Sequence, residues 1–267
     1  MMMLRTENLV VGYEKKEVVR DINLKVKKGE VLCLLGANGS GKSTILRTLS
    51  GLLRPIKGEV LIQNKNLHRM SEGKLAKQLA VVLTNRISLG LLTVFEVVSM
   101  GRYGHTGFFG KLGSKDVKIV EEALELVNAT NLVDRYFHQL SDGEKQKVFL
   151  ARALVQEPEL IIMDEPTSFL DIRHKVELIS IIKTLSKERG ITIISSLHEI
   201  ALAVKCSDTL MLVKDGGILD YGCPEDILTL DRVKEVYDIE DCQYDDFLGP
   251  FKNDRKREDY NLLDICI

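Results

Sequence analysis

The sequence contains no apolar run near the roughly 18 residues needed to cross a bilayer, so no membrane-spanning helix is expected in its 267 residues. The opening MMMLRTENLV lacks a basic segment followed by an apolar core, and a secretory leader is not expected. Cysteine is sparse. Cys33, Cys206, Cys223, Cys242 and Cys266 are odd in number and scattered, with no CxxC pair. That pattern argues against a disulfide framework or zinc finger and reads as reduced thiols in a cytosolic protein. An excess of one charge is missing too. Lysine and arginine total 37 against 39 aspartates and glutamates, a formal net charge of −2. This argues against a nucleic-acid partner held by phosphate neutralisation. Internal repeats and low-complexity linkers are also lacking. What is present is 45% hydrophobic and 28% charged, the balance of a globular protein. A chain of this length buries roughly 70–75% of its extended surface without disulfides or metal, and its length suggests about one or two domains.

Up to Val26, alternating segments such as ENLVVGY and VVRDINLKV predict antiparallel strands. Val31–Leu35 (VLCLL) is a continuous apolar run, the mark of a strand buried on both faces. Similar runs recur at 160–163 and 191–195, separated by a helical stretch over 173–189. Alternation of this kind implies a parallel sheet. Asp215-Gly216-Gly217, between two apolar runs within 209–221, signals a hairpin. Between about 93 and 145 the text becomes helical, with Val117, Val120, Leu124 and Val127 on one face. The expectation is one α/β domain over 1–221 with a helical insertion at about 93–145, then a short C-terminal extension over 222–267.

Three motifs carry chemistry. Gly36-Ala37-Asn38-Gly39-Ser40-Gly41-Lys42-Ser43-Thr44 satisfies G-x-x-x-x-G-K-[ST] after a buried strand and before a helix. Its glycines let backbone N–H groups face phosphate oxygens, Lys42 can neutralise the terminal phosphates, and Ser43 can offer a hydroxyl to Mg²⁺. LIIMDE (160–165) is an apolar strand ending in two carboxylates. At the end of a parallel strand, Asp164 can hold Mg²⁺ and Glu165 can orient or deprotonate the attacking water. In LSDGEKQ (140–146), Ser141 and Glu144 form a capping box, and Asp142 and Gly143 open a helix whose start can face an anion.

In this order, the three motifs resemble the ATP-binding subunits of ABC transporters, over about Leu4 to Tyr221. The resemblance implies a P-loop NTPase core with a mixed parallel sheet, an N-terminal antiparallel β-subdomain and an inserted α-helical subdomain. It implies ATP and Mg²⁺ as cofactors and Mg-dependent ATP hydrolysis. It further gives Tyr13 the role of stacking on adenine, His198 that of contacting the γ-phosphate, and the loop Ser168-Phe169-Leu170-Asp171 that of joining two ATP sites. Phe169 replaces the small residue usual in that loop. Each ATP would be held between two copies of the chain, the phosphate loop of one facing Ser141, Asp142, Gly143 and Glu144 of the other. Catalysis would fall to Glu165, His198 and Lys42, and the metal to Ser43 and Asp164.

One departure concerns the position after LAVVL, where the family usually carries glutamine and this sequence has Thr84, then Asn85 and Arg86. The stretch TVFEVVSMGRYGHT (93–106) is similar to that of importers for iron–siderophore, haem and cobalamin complexes, with Gly104 at a usual proline. That implies integral-membrane permease subunits, a substrate-binding protein upstream, and peripheral attachment at the cytoplasmic face of the inner or plasma membrane. A soluble ABC ATPase uncoupled from transport, or an ABC subunit for another cargo, stands as the alternative.

Overall fold

The computed structural model describes residues 1–83, 89–106 and 111–240. Among the described residues, eleven strands follow one another as β1 (Met2–Tyr13), β2 (Lys16–Ile22), β3 (Lys25–Lys27), β4 (Val31–Leu35), β5 (Lys57–Ile62), β6 (Lys65–Asn66), β7 (Leu79–Leu83), β8 (Leu160–Asp164), β9 (Thr192–Ser196), β10 (Thr209–Lys214) and β11 (Gly217–Gly222). They form two sheets. One is antiparallel, in the order β2-β1-β5-β6, with β3 pairing β1. The other runs β11-β10-β4-β9-β8-β7, parallel from β10 to β7 and closed by the antiparallel hairpin β10–β11. This is the α/β architecture that the motifs imply.

The apolar runs have a simple reason. In β4, Leu32 and Leu34 face the cluster between the two sheets, while Val31, Cys33 and Leu35 face the helical side. β8 divides in the same way, with Leu160 and Ile162 on one face and Ile161 and Met163 on the other. A strand with no solvent face favours apolar residues, and each large apolar side chain contributes about 1.5–3 kcal/mol of burial. The third run sits one residue later than its apolar pattern suggests, at Thr192–Ser196. Thr192 is fully buried and bonds the turn at Gly29, which draws it into the strand.

The helical insert contains Val94–Ser99, Ser114–Leu126 and Asp142–Leu154. Val94, Val97, Val98, Val120 and Leu124 all go into the core, and Val117 stays half-buried. Capping boxes start the first and third of these helices, at Thr93/Glu96 and Ser141/Glu144. Beyond β11, the short helices Pro224–Ile227 and Leu230–Tyr237 place Ile227, Val233 and Val236 in the same core cluster. Among the described residues, no helix is long and apolar enough to cross a membrane.

Candidate nucleotide site

β4 ends at Leu35, and the helix Lys42–Leu49 begins six residues after Gly36, one residue earlier than its pattern suggests. The join requires Gly41. Its φ is +106°, and a Cβ there would lie 2.3 Å from Val19 Cγ2 of β2. No L-residue meets both conditions. Asn38 and Gly39 form the exposed tip, while Thr44 is buried in the first helical turn. The Lys42 side chain folds back into the loop, donating to the Gly36 and Ala37 carbonyls at 2.8 Å each. Burial lowers its pKa, and the carboxylates of Glu165 and Asp164 work against that. An ammonium that donates to neutral carbonyls can exchange them for phosphate oxygens, which make stronger, charge-assisted bonds.

Asp164 ends β8 beside this loop. Its Oδ1 accepts from Ser43 Oγ at 3.0 Å and from Ser196 Oγ at 2.8 Å. The Ser196 hydroxyl in turn accepts the Glu165 N–H at 2.8 Å. Glu165 has φ +49°, a left-handed conformation costing a non-glycine residue on the order of 1–3 kcal/mol. The Ser196 bond and a 3.2 Å bond from Ser168 Oγ to Glu165 Oε2 hold it there. So held, Glu165 Oε1 lies 2.9 Å from His198 Nε2. Ser43 and Asp164 together present a hydroxyl and a carboxylate oxygen, a hard donor set that fits Mg²⁺, which takes one or two carboxylates and fills the rest with water and phosphate.

The remaining residues lie around this centre. Tyr13, at the end of β1, is about half exposed, and its hydroxyl accepts from Arg47 at 3.4 Å. The capping box of Asp142–Leu154 is closed both ways, Ser141 N–H to Glu144 Oε2 at 2.8 Å and Glu144 N–H to Ser141 Oγ at 3.3 Å. Ser141 and Asp142 are exposed, and Gly143 is buried. A Cβ on Gly143 would stand 2.4 Å from the His174 ring, so an imidazole packs directly on that backbone. Asp171 fixes the ring through a 2.8 Å contact to Nδ1 and caps the helix Ile172–Lys187 by accepting the His174 N–H. The 168–171 loop thus touches Glu165 at one end and, through His174, the Ser141–Glu144 turn at the other. Phe169 is 70% exposed.

Residues 19–168 match the family described as ABC transporter. The chain belongs to that family. An uncharacterized ABC transporter ATP-binding protein of Methanocaldococcus jannaschii is 44% identical over 94% of this chain and 86% of that protein. An iron(3+)-hydroxamate import ATP-binding protein of Bacillus subtilis is 37% identical, over 89% of this chain and 88% of its own length. Among solved structures, a dimeric ATP-binding cassette in a post-hydrolysis state, bound to ADP and Pi, superposes with a TM-score of 0.73 at 27% identity. The match covers 83% of this chain and 98% of the cassette. The chain is an ATP-binding subunit of an ABC transporter, a transport-coupled ATPase.

For an ABC ATPase, some of this centre is not legible as a motif. Ser196 bridges Asp164 and Glu165 from the neighbouring strand, and the only trace of it in the sequence is a pair of serines ending an apolar run. Glu199, next to His198, is held by Thr167 at 3.0 Å and by Lys175. Burial opposes its ionisation, but those two donors outweigh it and hold its carboxyl below the usual glutamate range. Thr84, Asn85 and Arg86, where the ABC family usually places a glutamine, lie outside the described residues.

Proposed function

We propose that two copies of this chain close over two ATP molecules and drive an importer for iron–siderophore, haem or cobalamin complexes. The observation that carries the ATPase cycle is the convergence of the phosphate loop, Asp164, Glu165 and His198 on one crevice at the ends of parallel strands. Tyr13 stacks on the base, and Lys42 with the loop amides of 36–44 holds the phosphates. Ser43 and Asp164 hold Mg²⁺, which supplies charge neutralisation at the phosphates. Glu165 orients the attacking water and accepts its proton, and His198 fixes the Glu165 carboxylate and reports on the γ-phosphate. Ser141 and Asp142 face solvent on a helix start, which suits them to the ATP of a second copy. The loop from Ser168 to Asp171 carries the state of one site to the other. The cassette occupies 1–221, and 222–267 forms its extension.

The cargo reading rests on the 37% identity to an iron(3+)-hydroxamate import protein and on TVFEVVSMGRYGHT. It places the chain on membrane permease subunits at the cytoplasmic face, with a substrate-binding protein beyond them. Glu165→Gln tests the ATPase half. The variant should bind ATP, lose hydrolysis by about two orders of magnitude or more, and accumulate as an ATP-dependent dimer in light scattering. Hydrolysis at the wild-type rate would remove Glu165 from its role. For the cargo, ATPase activity reconstituted with the permease should rise on adding a binding protein loaded with ferric siderophore. Stimulation by an unrelated cargo alone would overturn that part.

A further inference from the structure

Two segments meet at the catalytic centre, 164–168 at the end of β8 and 196–199 at the end of β9, and three cross-links join them. Ser196 bonds both Asp164 and the Glu165 N–H. His198 Nε2 lies 2.9 Å from Glu165 Oε1. Beyond these, Thr167 Oγ1 donates to Glu199 Oε2 at 3.0 Å. The third link joins two residues that have no assigned part in the ATPase chemistry.

Thr167 is a firm support. It is buried, and the turn around it is closed by two bonds, from the Ser168 N–H to the Glu165 carbonyl at 3.1 Å and from the Leu170 N–H to the Thr167 carbonyl at 3.3 Å. Lys175 gives Glu199 a second hold, its ammonium donating to Oε1 from the first turn of the helix Ile172–Lys187. The Lys175 N–H in turn bonds the Asp171 carbonyl at 3.0 Å, so this hold continues into the 168–171 loop. Both carboxylate oxygens of Glu199 are therefore engaged. Burial opposes its charge, but the two donors outweigh that and keep it ionised at neutral pH.

The imidazole of His198 is only partly buried, so its place follows from where the backbone of 197–199 stands. On one side the Leu197 N–H bonds the Leu34 carbonyl of β4 at 3.2 Å. On the other the chain enters the helix Ile200–Cys206, and the Glu199 carboxylate is what ties that entry to Thr167 and Lys175. A misplacement of about 1 Å at a reacting centre can cost a hundredfold in rate.

We propose that Glu199 is a positioning residue of the nucleotide site: by tying the segment that carries His198 to Thr167 and Lys175, it sets the imidazole against the Glu165 carboxylate. This rests on the assignment of Glu165 and His198 to ATP hydrolysis.

Glu199→Ala removes both holds. Its kcat should fall about five- to tenfold, no more than the worth of one charge-assisted hydrogen bond. The KM for ATP and the affinity for a fluorescent ATP analogue should stay within about twofold, since the phosphate loop is untouched. Thr167→Val removes one hydroxyl at nearly constant shape, and should lower kcat about two- to fivefold in a protein that folds even where Glu199→Ala does not. In single-turnover assays on a His198→Ala background, Glu199→Ala should change the rate by less than about twofold, because a residue acting through His198 has nothing left to place. By NMR, the His198 ring resonance, assigned by its loss in His198→Ala, should move in Thr167→Val while those of His68 and His105 hold still. Unchanged kcat in both variants, equal losses with and without His198, or an unmoved His198 resonance would each overturn the proposal and leave Glu199 a stabilising ion pair. Wild-type hydrolysis by His198→Ala would remove the catalytic reading of His198 and this proposal together. A His198 effect without a Glu199 effect removes only this one.

Discussion

Ser196→Ala isolates a single hydroxyl with two tasks. It donates to Asp164 Oδ1 and accepts the Glu165 N–H, both at 2.8 Å, in a fully buried position. A hydrogen bond to an ionised acceptor is worth about 1.5–3 kcal/mol, and a buried N–H left without a partner costs about 1–3 kcal/mol. Asp164 keeps its bond from Ser43, so the loss in folding stability should be about 2–4 kcal/mol rather than the full sum. Catalysis should suffer through Glu165. Its left-handed backbone is held from one side by Ser196, and without that bond the strained peptide relaxes and the carboxylate leaves its place beside His198. At 1.36 kcal/mol per tenfold, kcat should fall about 10- to 100-fold. The KM for ATP should stay within about twofold, since Lys42 and the loop are untouched. Phosphate release under saturating ATP, with thermal melting alongside, measures both effects. Ser195→Ala is the control: that hydroxyl donates to the Ser196 carbonyl at 3.3 Å. Hydrolysis by Ser196→Ala within twofold of wild type would refute the claim that this hydroxyl holds the geometry of Glu165.

Gly143→Ala should leave nucleotide binding intact but lower ATPase activity at least tenfold, because its methyl collides with the His174 ring and displaces the start of Asp142–Leu154; equilibrium binding and steady-state turnover separate the two. Gly41→Ala, strained in φ and 2.3 Å from Val19, should destabilise the protein by about 1–3 kcal/mol and abolish ATP binding, read by denaturant unfolding and titration. Glu199 carries a depressed pKa, so its contribution to stability is complete above about pH 4.5 and is lost as pH falls through its lower folded value. The stability gap between wild type and Glu199→Gln should therefore be widest near neutrality and close below pH 4.5, a trend that acid unfolding curves would show.

Much of the fold was legible because its signals are local. A strand buried on both faces is mostly apolar, as VLCLL and LIIM (160–163) are, and a capping box must keep Ser and Glu three residues apart, as at 141–144. The phosphate loop is equally local, since strand, turn and helix all lie within residues 31–49. Contacts across strands leave no such trace. Cys33 and Cys206 read as scattered, yet their sulfurs lie 3.6 Å apart because β4 and the helix Ile200–Cys206 pack together. His174 lies about thirty residues from Gly143, and nothing in the spacing says that its ring fills the place of a Cβ.

The sequence by itself determined which groups are present and on which element each one stands: a loop that can bind phosphate, two carboxylates at a strand end, a histidine after the next strand. These follow from backbone conformation and burial, which short segments dictate. Tertiary structure decided how those groups are held and joined. The Ser196 bridge and the packing of His174 on Gly143 each depend on how separate elements stack, and stacking is set by side chains far apart in the chain. Among the described residues, no helix is long and apolar enough to cross a membrane. The folded chain shows what the sequence encodes instead, one ATP-binding subunit in which the end of the helix Leu230–Tyr237 lies across a cleft from the phosphate loop.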